Sequence, residues 1–311
     1  MKIRSAGLVL LAGILWGCVG IFIRTLNSAG FSSMEIVFLR TSLGAIFLIL
    51  YALVRDRSLL KIRLRDLWCF LGTGITGFAF FNWCYFTTMQ VTSLCVAAVL
   101  LYTAPCIVMV LSAILFREKI TAKKLVALVL ALLGCMCAAG LFTGDITLTW
   151  TGLLIGLGSG LGYALVTIFT RYALNRGYHS TTIVIYTLLF AALTVFFMTD
   201  VRPILSWSFS TPSNAVYAVL FVLLTTVAPN ELYTAGLSRL DNDTASIIVS
   251  VEPVAATVVG ILAFSEALTF SAAAGVVLMA AALLVLNLNP HRHRPKSEPS
   301  GPPAGIDSEI S

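Results

Sequence analysis

Ten apolar stretches of roughly 20 residues follow one another along the chain, and they constrain its fold more than any other feature. Because a helix needs about 20 apolar residues to cross the hydrocarbon core, each stretch predicts one membrane span. None of them alternates apolar and polar residues with period two, which argues against a transmembrane β-barrel. We therefore predict an all-α polytopic membrane protein with ten transmembrane helices, at about 5–25, 33–54, 66–88, 92–116, 121–142, 150–171, 180–199, 213–237, 244–265 and 269–288.

Composition excludes a water-soluble fold. Hydrophobic residues make up 59% of the 311 positions and charged residues only 11%, about half of the share that is usual in a soluble domain. Such a chain has too few polar residues to cover a core. The first stretch follows Lys2 and Arg4 but ends in no small-residue cleavage site, so we interpret it as a retained helix rather than a signal peptide.

The two halves of the chain repeat each other at an offset of 148 residues. This offset aligns Pro105 with Pro253, Phe116 with Phe264, Glu118 with Glu266, Thr121 with Thr269, Asn82 with Asn230 and Tyr85 with Tyr233. The pattern predicts two five-helix repeats, at 1–142 and 143–289. The tail at 290–311 is rich in Pro, Gly and Ser, and we expect it to be disordered and cytoplasmic.

The basic residues predict the orientation. If the N-terminus is cytoplasmic, all of the 20 Lys and Arg residues except Arg24, Arg40 and Arg202 lie in cytoplasmic loops or tails, as the positive-inside rule requires. We therefore predict a multi-pass protein of the bacterial plasma membrane with both termini in the cytoplasm. The net charge of +6 then reflects topology and attraction to anionic lipid heads, and it does not indicate a nucleic-acid partner.

Five spans in each repeat is an odd number, so the second repeat must enter the membrane upside down relative to the first. Inverted repeats are typical of alternating-access carriers, which keep their substrate site near the midplane between the halves. A small-molecule solute and the lipid bilayer are thus the predicted partners, and protons are a candidate coupling ion. We expect a monomer or a weak oligomer.

Several motifs add a family resemblance. They are the opening Gly13-Ile14-Leu15-Trp16-Gly17, Arg40 near the start of the second span, Pro105 to Glu118 in the first half, and Glu252-Pro253 to Glu266 in the second. With these motifs the chain, over about residues 6–288, resembles the EamA-domain transporters of the drug/metabolite transporter superfamily. The resemblance implies a ten-helix carrier without a cofactor that exports its solute, and it leaves the solute open. The second opening motif departs from the pattern, with Tyr163 and Ala164 in place of Trp16 and Gly17.

Charged residues within the spans are the first candidates for a site, because a charge at the bilayer centre is costly and usually faces a partner or a watery cavity. Glu252 lies near the middle of the ninth span, where it is either a cavity-facing acid or the partner of a kink at Pro253. Glu231 is either a solute contact or a hydrated interfacial carboxylate. Arg40 either binds an anionic group or forms an interfacial ion pair with Glu35.

Polar and aromatic residues complete the predicted substrate site. Asn82 and Asn230, related by the repeat, need hydrogen-bond partners in hydrocarbon and so should face helices or a cavity. Aromatic rings suit a cavity wall that holds an apolar or cationic group, although each ring taken singly is more often a packing residue. The aromatic candidates are Trp16, Tyr85, Tyr102, Tyr163 and Tyr233.

Other motifs favour structural roles. Residues 72–77 spell GxGxxG inside a predicted span, where glycines more often let helices pack closely than bind a dinucleotide. The seven cysteines form no CxxC pair, which gives no indication of a metal site, and small buried packing residues are the better interpretation. Glu118 and Glu266 each precede a Thr that can cap the next helix, which indicates a tight turn.

The sequence as a whole predicts a secondary carrier that exports a small polar or amphipathic metabolite, such as an amino acid. It contains no Ser/His/Asp arrangement and no carboxylate pair at ligand spacing, so we predict that the chain is not an enzyme and holds no metal or cofactor. A membrane-embedded enzyme and a non-transporting structural or receptor protein remain the alternatives.

Overall fold

The computed structural model of the chain describes residues 2–92, 94–139, 141, 149–264 and 269–287, and within these ranges it contains helices and no strands. The predicted tail at 290–311 and Glu266 lie outside the described residues. The helices of the first half are α1 (Lys2–Gly17), α2 (Val19–Ser28), α3 (Ser33–Arg55), α4 (Leu67–Leu71), α5 (Phe80–Val91), α6 (Leu94–Leu101), α7 (Ala104–Phe116) and α8 (Ala122–Ala138).

The second half continues the series. Its helices are α9 (Trp150–Asn175), α10 (Ser180–Phe196), α11 (Arg202–Ser210), α12 (Pro212–Val222), α13 (Ala228–Leu237), α14 (Asn242–Val249), α15 (Glu252–Phe264) and α16 (Phe270–Asn287). Short 3-10 turns at Arg57–Leu60 and Leu64–Asp66 lead into α4, and π-helical segments at Gly72–Ala79 and Leu223–Val227 join α4 to α5 and α12 to α13.

Seven helical stretches in the described ranges are long and apolar enough to cross a membrane. They are Arg4–Ser28, Ser33–Arg55, Leu64–Val91, Val96–Phe116, Trp150–Asn175, Pro212–Leu237 and Asn242–Ala263, and two shorter apolar helices are Ser180–Phe196 and Phe270–Leu286. Large apolar side chains such as Val54, Trp150 and Phe270 are exposed on the helix surfaces, where lipid rather than water suits them. The chain is a multi-pass membrane protein.

The repeat extends to the points at which helices are interrupted. Helix α6 ends at Leu101 and α7 begins at Ala104, while α14 ends at Val249 and α15 begins at Glu252, the same positions at the offset of 148. Pro105 and Pro253 each occupy the second position of the new helix. Because proline has no N–H to donate and fits best in a first helical turn, it favours a fresh helix start here.

The closest packing joins one half to the other. Helix α1 packs against α13, α14 and α15 of the second half, and α9 packs in the same way against α5, α6, α7 and the π-helical segment Gly72–Ala79 of the first. The pairs α3 with α10 and α8 with α16 also cross the halves. Glycines permit this approach: Gly72, Gly74 and Gly77 of the GxGxxG sequence contact α9 and α10, which agrees with the packing interpretation.

Gly17 provides a test of this packing. A Cβ built on Gly17 would lie 2.6 Å from the Cβ of Ala255 and 2.7 Å from the backbone oxygen of Glu252. We expect Gly17→Ala to lower the free energy of unfolding by about 1–3 kcal/mol, because α1 and α15 must move apart. Thermal unfolding in detergent measures the change. Gly7→Ala on the same helix is the control, since nothing lies within 4 Å of its Cβ position. Equal melting temperatures for the two variants would contradict the packing argument.

Candidate functional site

A cavity of about 560 Å³ lies between the two halves of the chain. Residues of α1, α2, α3, α5 and α6 line it from the first half, and residues of α9, α10, α13 and α15 line it from the second. Toward one side of the molecule it extends to Arg24 and Asn27 at the end of α2, and to Met89 and Ala138 at the ends of α5 and α8. Interrupted helices therefore surround a cavity between the halves.

Nine of the ten predicted site residues line this cavity. They are Trp16, Arg40, Asn82, Tyr85, Tyr102, Tyr163, Asn230, Tyr233 and Glu252. Their shared location follows from the cost of polar groups in lipid, because side chains that must avoid hydrocarbon collect around an interior cavity.

Glu252 contributes a negative charge to the cavity lining, and Arg40, like Arg24, contributes a positive one. Glu252 is the first residue of α15, directly after the helix interruption at Ser250 and Val251. Arg40 projects from α3 with 8% of its surface exposed. Its Nε donates a hydrogen bond to Thr226 Oγ1 at 3.1 Å, and its guanidinium lies 5.5 Å from the centre of the Phe78 ring. Both charged side chains line the cavity.

Arg40 is thus buried within the protein. Glu35, the interfacial partner that the sequence suggested as an alternative, is engaged elsewhere. Its Oε2 accepts a hydrogen bond from the backbone N–H of Ser32 at 2.8 Å, and Ser32 Oγ accepts one from the backbone N–H of Glu35. These two bonds form a capping box at the start of α3.

Aromatic side chains form much of the cavity wall. The ring centres of Trp16 and Tyr233 lie 5.7 Å apart, and those of Phe81 and Tyr163 lie 5.4 Å apart. The Tyr233 hydroxyl shares a hydrogen bond with Thr167 Oγ1 at 2.7 Å. The rings therefore present apolar faces, with a few hydroxyl groups held in fixed positions.

The two repeat-related asparagines have the same local geometry. Asn82 Nδ2 donates to the backbone oxygen of Phe78 at 2.8 Å, and Asn230 Nδ2 donates to the backbone oxygen of Thr226 at 2.7 Å. Both accepting oxygens belong to the π-helical segments, where the backbone pattern is irregular. The amide N–H groups therefore stabilise the distorted segments and orient each side chain toward the cavity.

Comparison with known proteins identifies the family. The profile of the EamA-like transporter family matches residues 3–140 and 150–288, one match in each half. The chain belongs to the EamA-like transporter family. The resemblance that the motifs indicated is confirmed, and the chain is a membrane transporter rather than an enzyme.

Relatives of this EamA transporter support the assignment. An uncharacterized transporter of Archaeoglobus fulgidus is 30% identical over 296 residues, which cover 92% of this chain and 96% of the relative. The uncharacterized transporter YetK of Bacillus subtilis is 24% identical over 287 residues, covering 88% and 82% of the two chains. A solved protein structure aligns with a TM-score of 0.78 at 16% identity over 93% of this chain and 98% of that protein, a likeness that concerns the fold.

Glu231 is the predicted site residue that does not line the cavity of this EamA transporter. It lies on α13 against the start of α10, where its Oε2 accepts a hydrogen bond from Thr181 Oγ1 at 3.1 Å. Its Oε1 is buried and has no hydrogen-bond partner among the described residues. The sequence places Glu231 next to cavity-lining Asn230, but adjacent helical residues point in different directions around the axis.

The structure also adds cavity residues that the sequence analysis did not single out. Most of them are aliphatic residues and glycines, Arg24 and Asn27 are also among them, and the phenylalanines and threonines include Phe78, Phe81, Phe86, Thr167, Thr170 and Thr187. Threonine and phenylalanine are common in membrane helices of every kind, so their type alone carried no signal. Residues four positions apart share one face of a helix. Thr167, four residues after Tyr163, could have been indicated by this spacing alone.

Proposed function

We propose that the chain is a secondary carrier that moves a small amphipathic solute with an ammonium group, such as an amino acid, across the plasma membrane by alternating access. The observation that carries the proposal is the cavity between the halves with Glu252 and Arg40 in its wall. Its volume of about 560 Å³ falls within the range typical of small-molecule sites.

The charges of the cavity suit a zwitterion. A carboxylate that faces an interior cavity in a membrane protein binds a cation or exchanges a proton, so Glu252 is the contact for the ammonium group. Arg40 lies on α3 in the cavity wall, and it is the contact for the solute carboxylate. The aromatic wall holds the apolar part of the solute and adds cation–π attraction for the ammonium.

The asparagines and Glu231 complete the proposed path. Asn82 and Asn230 each use one N–H on a π-helical segment, and their amide oxygens act as hydrogen-bond acceptors that orient the solute. Glu231, which accepts a hydrogen bond from Thr181 near the start of α10, receives the ammonium or a coupling proton on the inner part of the path.

The topology that we propose is ten membrane spans in two inverted repeats, at 1–142 and 143–289. It is supported by the repeat-related interruptions of the helices and by α8, α10 and α16, which occupy the remaining predicted spans. With both termini in the cytoplasm, Arg24, Asn27 and Met89 lie at the outer face. The cavity that reaches them then represents an outward-open state, and export is the direction that the family resemblance suggests.

Solute counterflow in proteoliposomes tests this function. We expect the purified transporter to accelerate exchange of a radiolabelled amino acid with an apolar side chain when the unlabelled compound is trapped inside. A panel should include amino acids, the corresponding decarboxylated amines and the corresponding deaminated acids, with protein-free liposomes as control. Exchange of the acids without the amines or amino acids would contradict the proposed role of Glu252. No exchange of any member of the panel would contradict an ammonium-bearing solute.

A further inference from the structure

A cluster of polar residues lies at the end of the molecule opposite the cavity mouth, where α7, α8, α9 and α14 meet. We call it the inner cluster, and it consists of Glu118, Lys124, Arg171, Asn242 and Asp243. Glu118 and Lys124 belong to the first half of the chain, and the other three belong to the second. None of the five lines the cavity, so solute binding does not explain their arrangement.

Helix α14 is capped by a residue of the opposite half. Asp241 occupies its N-cap position, but the side chain makes no capping hydrogen bond. Both oxygens of the Glu118 carboxylate instead lie 3.1 Å from the backbone nitrogen of Asn242, which donates to them. Because the N-terminus of a helix carries partial positive charge and unpaired N–H groups, a carboxylate is the ligand that suits it.

The side chain of Asn242 extends this link. It is 0% exposed; its Oδ1 accepts a hydrogen bond from Arg171 Nε at 2.6 Å, and its Nδ2 donates to Ser112 Oγ at 3.0 Å. Arg171 also bonds the backbone oxygen of Leu240. Asn242 is thus fixed on one side by its own half and on the other by Ser112 of the first half.

A salt bridge adds a further connection between the halves. Lys124 Nζ lies 2.8 Å from Asp243 Oδ2, which is almost completely buried, and 3.1 Å from Asp241 Oδ2. Burial raises the pKa of the Glu118 carboxyl, and Asp243 and Asp241 act in the same direction, while the hydrogen bond from Asn242 and the charge of Arg171 oppose them. Burial of such groups is costly unless they are paired, so the cluster favours the state in which the halves meet.

We infer that the inner cluster is the cytoplasmic gate of the carrier, and that capping of α14 by Glu118 holds this gate closed while the cavity is open to the outside. The inference rests on the proposed function, since alternating access requires the inner ends of the two halves to separate in the opposite state. Separation moves α7 and α8 away from α14 and breaks every bond of the cluster that crosses the halves. The backbone N–H of Asn242 then loses its Glu118 partner and hydrates.

Hydrogen–deuterium exchange of the full-length protein in lipid nanodiscs tests the gate. Glu118→Gln removes the charge but keeps the size of the side chain, and the loss of a charge-assisted hydrogen bond should shift the equilibrium toward the inward-open state about tenfold. We expect faster exchange of peptides that cover α14. At the same time we expect slower exchange in α2, whose Arg24 and Asn27 line the open cavity and become covered when the outer side closes.

The combined change of exchange in α14 and α2 distinguishes a gate from a cap that acts only on the end of α14. Faster exchange in α14 with no change in α2 would overturn the inference, because it would mean that Glu118 only stabilises the helix end. No change in either helix would overturn it as well. Glu35→Gln is the matched control: it removes a capping carboxylate that acts within its own half, and it should affect the start of α3 alone.

A second variant distinguishes opening of the gate from misfolding of the Glu118→Gln protein. Lys124→Gln removes the salt bridge to Asp243 from the other side of the same junction, and it should change α14 and α2 in the same directions as Glu118→Gln. Unchanged exchange in Lys124→Gln would contradict the gate. The hydrogen–deuterium exchange measurement uses no solute. A counterflow panel without transport would therefore overturn the choice of solute but would not decide whether the gate exists. A negative hydrogen–deuterium exchange result would overturn the gate and leave the solute proposal unchanged.

Discussion

Glu252→Gln is expected to lower counterflow of ammonium-bearing solutes about 100-fold, a loss of roughly 2.8 kcal/mol of binding or transition-state energy at 1.4 kcal/mol per factor of ten. Glutamine keeps the size of the side chain and can still accept a hydrogen bond, but it lacks the charge that pairs with an ammonium group. The position at the start of α15, beside the cavity, means that the change alters the wall of the site without removing packing volume. Counterflow of the amine and of the amino acid measures the effect.

The role of Glu252 in coupling can be separated from its role in binding. If the carboxyl carries a proton, Glu252→Gln should lose accumulation driven by a pH gradient and retain exchange between equal compartments. If it binds the ammonium group, both activities should fall together, which is the result we expect. Glu35→Gln, which changes a carboxylate outside the cavity, should transport normally. A folded Glu252→Gln protein with unchanged transport between pH 5.5 and 8 would reduce the residue to the partner of a kink.

Much of the fold could be predicted because lipid imposes simple rules. Length and hydropathy alone locate the helices, as the correspondence between the predicted span at 33–54 and α3 illustrates. Pro253 indicates the interruption between α14 and α15. The sequence does not indicate the π-helical segments at Gly72–Ala79 and Leu223–Val227. An i+5 pattern depends on which side-chain donors, here Asn82 and Asn230, are available to stabilise the irregular backbone.

The candidate site could be predicted from the sequence where it consists of polar and charged groups, because these groups are costly to place in the hydrocarbon core. Charged side chains such as Arg40 and Glu252 are unstable in contact with lipid and therefore usually face an interior cavity or a partner. The internal repeat indicates Asn82 and Asn230, because the two residues are aligned by it. Glu118 shows the limit of this reasoning. The expected turn is present, since Thr121 Oγ1 accepts a hydrogen bond from the backbone N–H of Lys124 at the start of α8, but a cap on a helix 124 residues away depends on tertiary packing that no local pattern encodes.

Arg40→Met should have a selective effect that identifies the solute carboxylate. Methionine fills a similar apolar volume but has no donors, so counterflow of an amino acid should fall about 100-fold, whereas counterflow of the corresponding amine should fall much less. The difference arises because only the amino acid loses a charge-assisted contact. Arg40→Lys is the matched variant: it keeps the charge but not the planar guanidinium, which donates to Thr226, and we expect intermediate transport of the amino acid.

Stability provides the check on Arg40→Met. Removal of one member of an interacting buried pair leaves the other charge uncompensated and can cost about 3–5 kcal/mol, whereas removal of both is often nearly neutral. Because Arg40 and Glu252 carry opposite charges in the wall of the same cavity, we expect the double variant Arg40→Met/Glu252→Gln to melt at a higher temperature than Arg40→Met alone while it remains inactive toward both solutes. If the amine and the amino acid lose transport equally in a stable Arg40→Met protein, Arg40 acts by organising the cavity with Thr226 and Phe78 and does not bind the solute carboxylate.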